Sequence, residues 1–149
     1  MARRMKRGFD IVVSVGALLA FFPLGLVVVV LVYVGDPGPI FYGSKRVGLD
    51  GKPFSLLKFR SMRVQKPGEG AAITLGSRDP RVTWIGRWLR RFKIDEVPQF
   101  WNVLVGDMSI VGPRPEDPHY VAMYSDVQRR VLTVPPGITD LTVVEGHLH

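Results

Sequence analysis

At 149 residues the chain has the length of one domain with a modest core. A formal net charge of +7 and a pI near 10.1 point to an anionic partner: nucleic acid, anionic lipid or a phosphorylated small molecule. With no cysteine and only 3 histidines, two of them at the C-terminus (His147, His149), disulfides and thiolate metal sites are excluded and a histidine-built metal site is disfavoured, leaving hard cations on carboxylates.

Ile11 to Val34 is a 24-residue run without charge, interrupted by Pro23. As a straight helix it is about 36 Å long, enough to cross a hydrocarbon core of roughly 30 Å, so a single span is one reading. Pro23 lacks an N–H and crowds the preceding turn, dividing the run into halves of about 18 and 16 Å that are each too short to cross. Arg3, Arg4, Lys6 and Arg7 precede the run, while Lys45, Arg46, Lys52, Lys58, Arg60 and Arg63 follow it. Two positive flanks favour both ends on one membrane face. A re-entrant helix-break-helix anchor over residues 1–35 meets both observations and is preferred to a span. A signal peptide fits less well, because the apolar core is too long and no small-x-small site follows it.

Gly35-Asp36-Pro37-Gly38-Pro39 closes the anchor with a cluster of helix breakers. The remainder, 36–149, reads as a single integrated catalytic region. Strands are predicted near Lys45–Leu49 and Lys52–Lys58, joined at Asp50-Gly51, a strong hairpin signal. Gly48, Gly51 and Lys52 lack the GK[ST] ending and helix of a phosphate loop. Val64 to Ala72 is polar and glycine-rich, the pattern of a mobile loop. Val82 to Lys93 has helical periodicity: Trp84, Ile85, Trp88, Leu89 and Phe92 share a ~140° arc, with Arg87, Arg90, Arg91 and Lys93 opposite. Tryptophans beside arginines suit a membrane interface. A further helix is expected from Glu96 to about Leu104, with Asp95 as N-cap and Pro98 in its first turn. Another is expected around Tyr120–Leu132, before a break at Pro135-Pro136-Gly137. The fold class is α+β: a re-entrant membrane anchor, interfacial amphipathic helices and a small β-hairpin.

Chemistry concentrates at Arg90-Arg91-Phe92-Lys93-Ile94-Asp95-Glu96, with Arg114 arriving 19 positions after Asp95. Adjacent acids among cations suit a phosphorylated substrate: one carboxylate attacks or binds metal while cations hold phosphate oxygens. Taken singly, each residue has a plainer reading. Asp-Glu at a helix start is commonly a cap, an arginine between prolines a solvated loop residue, and Lys58 with Arg60 an exposed strand face.

Arg46-Val47-Gly48, Lys58-Phe59-Arg60-Ser61-Met62, Asp95-Glu96 with Pro98-Gln99, Asn102-Val103-Leu104, Gly106-Asp107-Met108-Ser109, Val111-Gly112-Pro113-Arg114-Pro115 and Pro136-Gly137-Ile138-Thr139 occur in one order. Together, over roughly residues 5 to 139, they resemble the bacterial sugar transferases, monotopic polyprenyl-phosphate phosphoglycosyl transferases. The resemblance implies a two-step transfer of sugar 1-phosphate from a UDP-sugar to undecaprenyl phosphate, with release of UMP and a requirement for Mg²⁺. It implies Asp95 as nucleophile and Glu96 as its metal-binding or charge-positioning partner, both carboxylates being candidate metal ligands. Arg90 and Arg114 are implied as phosphate holders, Lys58 and Arg60 as lining the same pocket, and Gln99 and Asn102 as lying near the site. The implied setting is the cytosolic face of the bacterial inner membrane, among membrane lipids, in glycoconjugate or exopolysaccharide synthesis. Three positions depart from the family pattern. Phe22 precedes Pro23 where relatives often have serine, Asp140 follows Thr139 where glycine is commoner, and the chain stops at His149 where relatives usually continue.

A non-catalytic basic scaffold on the membrane surface is the alternative function. It needs cations and an amphipathic face but no paired acids. Nucleic-acid binding explains the charge alone, leaves the apolar N-terminus unexplained and has no recognised motif behind it. The sugar and the oligomeric state are open at this level.

Overall fold

The computed structural model describes residues 2–64 and 79–140. The loop expected at Val64–Ala72 lies, beyond Val64, outside the described residues, as does the Gly146-His147-Leu148-His149 ending. In chain order the elements are α1 (Ala2–Gly35), β1 (Phe41–Val47), β2 (Pro53–Phe59), α2 (Trp84–Arg91), α3 (Gln99–Val105), β3 (Ser109–Val111), α4 (Pro118–Ala122), α5 (Asp126–Arg129) and β4 (Gly137–Thr139). Helix and strand are mixed, as the α+β expectation has it. The chain divides into two compact units interleaved in sequence, one of residues 1–20, 43–57 and 98–149, the other of 21–42 and 58–97.

Helix α1 is continuous through Pro23, where a break was expected. Proline removes one backbone bond and crowds one carbonyl, but the turns on either side keep theirs, so the helix is assigned without interruption. It is long and apolar enough to cross a membrane, by length and composition only.

The unit of residues 21–42 and 58–97 is built on a core of Val28, Val32, Phe59, Ile85 and Leu89. Val28 and Val32, one turn apart on α1, are buried in it, whereas Val27, Val30 and Val34 are exposed. Each large core side chain contributes about 1.5–3 kcal/mol of transfer free energy. In α2 the predicted apolar arc is split by this packing. Ile85 and Leu89 enter the core, while Trp84, Trp88 and Phe92 stand 51%, 54% and 57% exposed, with Trp88 and Phe92 stacked at 5.6 Å. Thr83 caps the helix, its hydroxyl accepting the Gly86 N–H at 3.0 Å.

The unit of residues 1–20, 43–57 and 98–149 has its own core of Leu56, Val103 and Met108. The expected hairpin is present: Asp50 and Gly51 both take positive φ (55° and 75°), the mirror-image turn that matches strand twist. β1 starts four residues earlier than predicted, and Leu49 belongs to the turn. Strands β3 and β4 pair in parallel, Ser109 opposite Gly137 and Val111 opposite Thr139. Gly112 is required here, since a Cβ on it would lie 2.3 Å from the Pro135 carbonyl oxygen. The single helix expected over Tyr120–Leu132 is instead α4, α5 and a 3-10 turn. Ser125 and Gln128 form a capping box that starts a new helix inside the predicted one.

Candidate active site

The acid pair does not cap a helix. Asp95 and Glu96 sit in a 3-10 turn, Ile94–Glu96, entered through Lys93 in the left-handed region (φ 58°, ψ 18°). Helix α3 begins only at Gln99, with Pro98 at the cap position. Asp95 is 6% exposed, and its Oδ1 has no hydrogen-bond partner among the described residues. A cap is defined by the N–H groups its side chain accepts, so the capping explanation of this aspartate fails. Burying an ionisable oxygen without a partner is costly. Burial pushes the Asp95 pKa above its ordinary value; Lys58, Arg90 and Lys93 oppose the rise and Glu96 adds to it.

Around this carboxylate the turn gathers cations. Lys58, near the end of β2, donates Nζ to Glu96 Oε1 at 2.7 Å, both side chains about one-quarter exposed. Arg90, in the last turn of α2, donates Nε–H to the Ser61 hydroxyl at 2.8 Å. Lys58, Glu96, Arg90 and Asp95 thus lie in one cluster. Lys93 joins them, although the sequence placed it on the solvent side of a helix. The helix expected to run to Lys93 ends two residues earlier, at Arg91.

Arg60 is placed differently from the expectation. It is buried, donates Nη2 to the Asp36 carbonyl, and holds Nη1 3.3 Å from Asp36 Oδ2 as an ion pair without hydrogen-bond geometry. It is not among the cations acting on Asp95. Its place is at the end of α1, where a buried guanidinium needs a charged partner and finds the half-buried Asp36.

The remaining expected residues, Gln99, Asn102 and Arg114, belong to the other unit. Gln99 is buried in the first turn of α3. Asn102 is a structural hub: Oδ1 accepts the Leu57 N–H at 3.0 Å, and Nδ2 donates to the Ser55 carbonyl at 2.8 Å and to Asp107 Oδ2 at 3.2 Å. Arg114 lines a small cleft with Gly48, Glu116, Tyr124 and Pro136.

No group of three or more His, Cys, Asp or Glu poised for a metal occurs among the described residues. Mg²⁺ does not need one. It commonly binds through one or two carboxylates and completes its shell with water and substrate phosphate oxygens. Asp95, with its unpartnered Oδ1, and the adjacent Glu96 are a donor pair of that kind.

A family model described as bacterial sugar transferase matches residues 1–149. The chain is 42% identical over 149 residues to an undecaprenyl-phosphate glucose phosphotransferase of Komagataeibacter xylinus, covering 95% of this chain and 28% of that protein. It is 43% identical over 120 residues to a UDP-N-acetylgalactosamine-undecaprenyl-phosphate N-acetylgalactosaminephosphotransferase of Aeromonas hydrophila, covering 80% of this chain and 28% of that protein. Against the exopolysaccharide production protein ExoY of Sinorhizobium fredii it is 39% identical over 155 residues, covering 95% and 69% respectively. The chain therefore spans under one-third of the first two relatives and about two-thirds of the third.

Proposed function

The chain belongs to the bacterial sugar transferase family, and from that premise we propose that it moves a sugar 1-phosphate from a UDP-sugar to undecaprenyl phosphate, releasing UMP. The observation that carries this reading is the buried, unpartnered Asp95 carboxylate oxygen amid Lys58, Arg90 and Lys93. In the first step an Asp95 oxygen attacks the phosphorus that bears the sugar. The bond from that phosphorus to the bridging oxygen breaks, UMP leaves with the electron pair, and a phosphosugar ester remains on Asp95. In the second step a phosphate oxygen of undecaprenyl phosphate attacks the same phosphorus, the acyl–phosphate bond breaks, and the carboxylate is regenerated.

Both partners of the first step are anions, so their repulsion has to be offset by cations already in place. Lys58 and Arg90 supply that charge beside the acid pair. Mg²⁺, held by Asp95 and Glu96, would neutralise charge on the phosphate oxygens. A covalent intermediate lets the soluble nucleotide depart before the lipid acceptor enters.

The membrane reading has two parts. With basic flanks on both sides of α1, we read its two ends as lying on the cytosolic face of the bacterial inner membrane, which requires the helix to bend at Pro23, where one backbone hydrogen bond is already missing. Exposed Trp84, Trp88 and Phe92, with Arg87 and Arg91 on the same helix, lie at the headgroup level. Cysteines introduced singly for Arg3 and Lys45 in this cysteine-free chain are expected to label from one face; labelling from opposite faces means a spanning helix. A scaffold would account for the anchor and the exposed tryptophans, but it gives a buried, unpartnered carboxylate nothing to do. The test of function is UMP release from a panel of UDP-sugars (glucose, galactose and their N-acetylated forms) with undecaprenyl phosphate and Mg²⁺. Release with none of them contradicts the proposal.

A further inference from the structure

We propose that Ser61 is a positioning residue for Arg90: its hydroxyl grips the guanidinium at Nε and so aims the arginine's charge at the phosphate transferred at Asp95. The proposal rests on the reading of Asp95 as the nucleophile. It starts from a contact that the motif Lys58-Phe59-Arg60-Ser61-Met62 did not explain, the 2.8 Å bond from Arg90 Nε–H to Ser61 Oγ.

A guanidinium is a planar fork on a long flexible stem, and its usefulness to a phosphate depends on where that plane lies. A hydrogen bond at Nε fixes the plane and stops rotation about the last bond of the stem. The anchor point itself has to be rigid for this to matter, and Ser61 is. It is 8% exposed, and its carbonyl oxygen accepts the Thr83 N–H at 3.1 Å and the Thr83 hydroxyl at 3.4 Å. A Cβ on Gly86 would lie 1.9 Å from that same carbonyl oxygen, so the first turn of α2 is seated directly on the Ser61 backbone. Met62 on one side is bridged to Val82. Helix α2 therefore holds Ser61 at both of its ends, by Thr83 and Gly86 through the backbone and by Arg90 through the hydroxyl.

This division of labour makes the residue testable. Ser61→Ala removes only the Oγ contact and leaves every backbone contact that seats the helix. The readout is the first half-reaction, UMP released per enzyme from UDP-sugar and Mg²⁺ without lipid acceptor, alongside intact mass and thermal midpoint. Ser61→Ala is expected to slow the single-turnover rate of this step about tenfold, the scale of one hydrogen bond that matters in the transition state, with the UDP-sugar concentration for half-maximal rate and the thermal midpoint close to wild type. Ser61→Thr, which keeps a hydroxyl, is expected to recover most of the loss. In an Arg90→Ala background, Ser61→Ala is expected to cost nothing more, because the two residues act as one unit. An unchanged single-turnover rate in Ser61→Ala overturns the proposal, as does an equal loss in the Arg90→Ala background, while the phosphosugar adduct still forms on Asp95. Absence of that adduct in the wild-type enzyme overturns the nucleophile reading, and the proposal falls with it.

Discussion

Two aspartates of this chain are almost equally buried, and their surroundings treat them in opposite ways. Asp10, 4% exposed near the start of α1, accepts the Ser109 hydroxyl on both oxygens (3.1 and 2.9 Å) and the Ile110 N–H at 3.1 Å. Its neighbours follow suit. Arg7 donates to the Val103 and Leu104 carbonyls at the end of α3, and Lys6 Nζ donates to the Val111 carbonyl at 3.0 Å. Asp95, 6% exposed, has an oxygen with no such partner among the described residues. A buried carboxylate whose oxygens are all engaged is structural, because its charge is spent on donors of the fold. A buried carboxylate left short of donors costs stability in the resting protein and keeps an oxygen available for something the fold does not contain.

Exchanging the two acids for neutral residues should therefore have opposite consequences. Asp95→Asn is expected to abolish turnover, a loss of about 10³-fold or more for removal of a covalent nucleophile. Its thermal midpoint in nanodiscs is expected to equal or exceed wild type. A clear fall in stability would mean that Asp95 is a structural acid after all. Asp10→Ala leaves the buried Ser109 hydroxyl and the Ile110 N–H without their acceptor and is expected to destabilise by about 2–4 kcal/mol. Equilibrium unfolding measures it, and a change within experimental error would remove the contrast.

A smaller effect follows from pH. Burial raises the folded pKa of Asp95 above its ordinary 3.8. Below that value the group is protonated whether the chain is folded or not, so it costs nothing. As pH rises towards the higher folded value, the unfolded chain ionises first and the folded state loses stability relative to it. The stability advantage of Asp95→Asn in metal-free buffer is thus expected to open across this window and to vanish below it. An advantage that grows on acidification has the wrong sign. Smallest of all, Trp88→Ala is expected to change unfolding stability by no more than about 0.5 kcal/mol, since the ring is exposed, while weakening partition onto anionic vesicles.

Much of this is legible in the amino-acid sequence. Asp50-Gly51 marks its own turn because few residue pairs accept positive φ twice. Pro135-Pro136-Gly137 marks its own break. The convergence of Lys58, Arg90 and the acid pair followed from motif order, not from spacing. What stayed hidden depends on partners far off in sequence. An apolar arc does not say which of its members meet a core, so Ile85 and Leu89 could not be told from Trp84 and Trp88. The pairing of Arg60 with Asp36, and of β3 with β4, joins segments that carry no local sign of each other. Asp10 went without a role, though a lone carboxylate at the edge of a 24-residue apolar run is itself a signal. Such a charge is tolerated only when paired or hydrogen-bonded.

The most direct test is intact-mass measurement of the wild-type chain incubated with Mg²⁺ and a UDP-sugar that supports UMP release, without lipid acceptor. The expected result is a mass gain of one sugar phosphate, mapped to the peptide carrying Asp95, missing in Asp95→Asn and discharged when undecaprenyl phosphate is added. No gain in an enzyme that still releases UMP once acceptor is present, or an equal gain in Asp95→Asn, would contradict the assignment of that oxygen as the nucleophile.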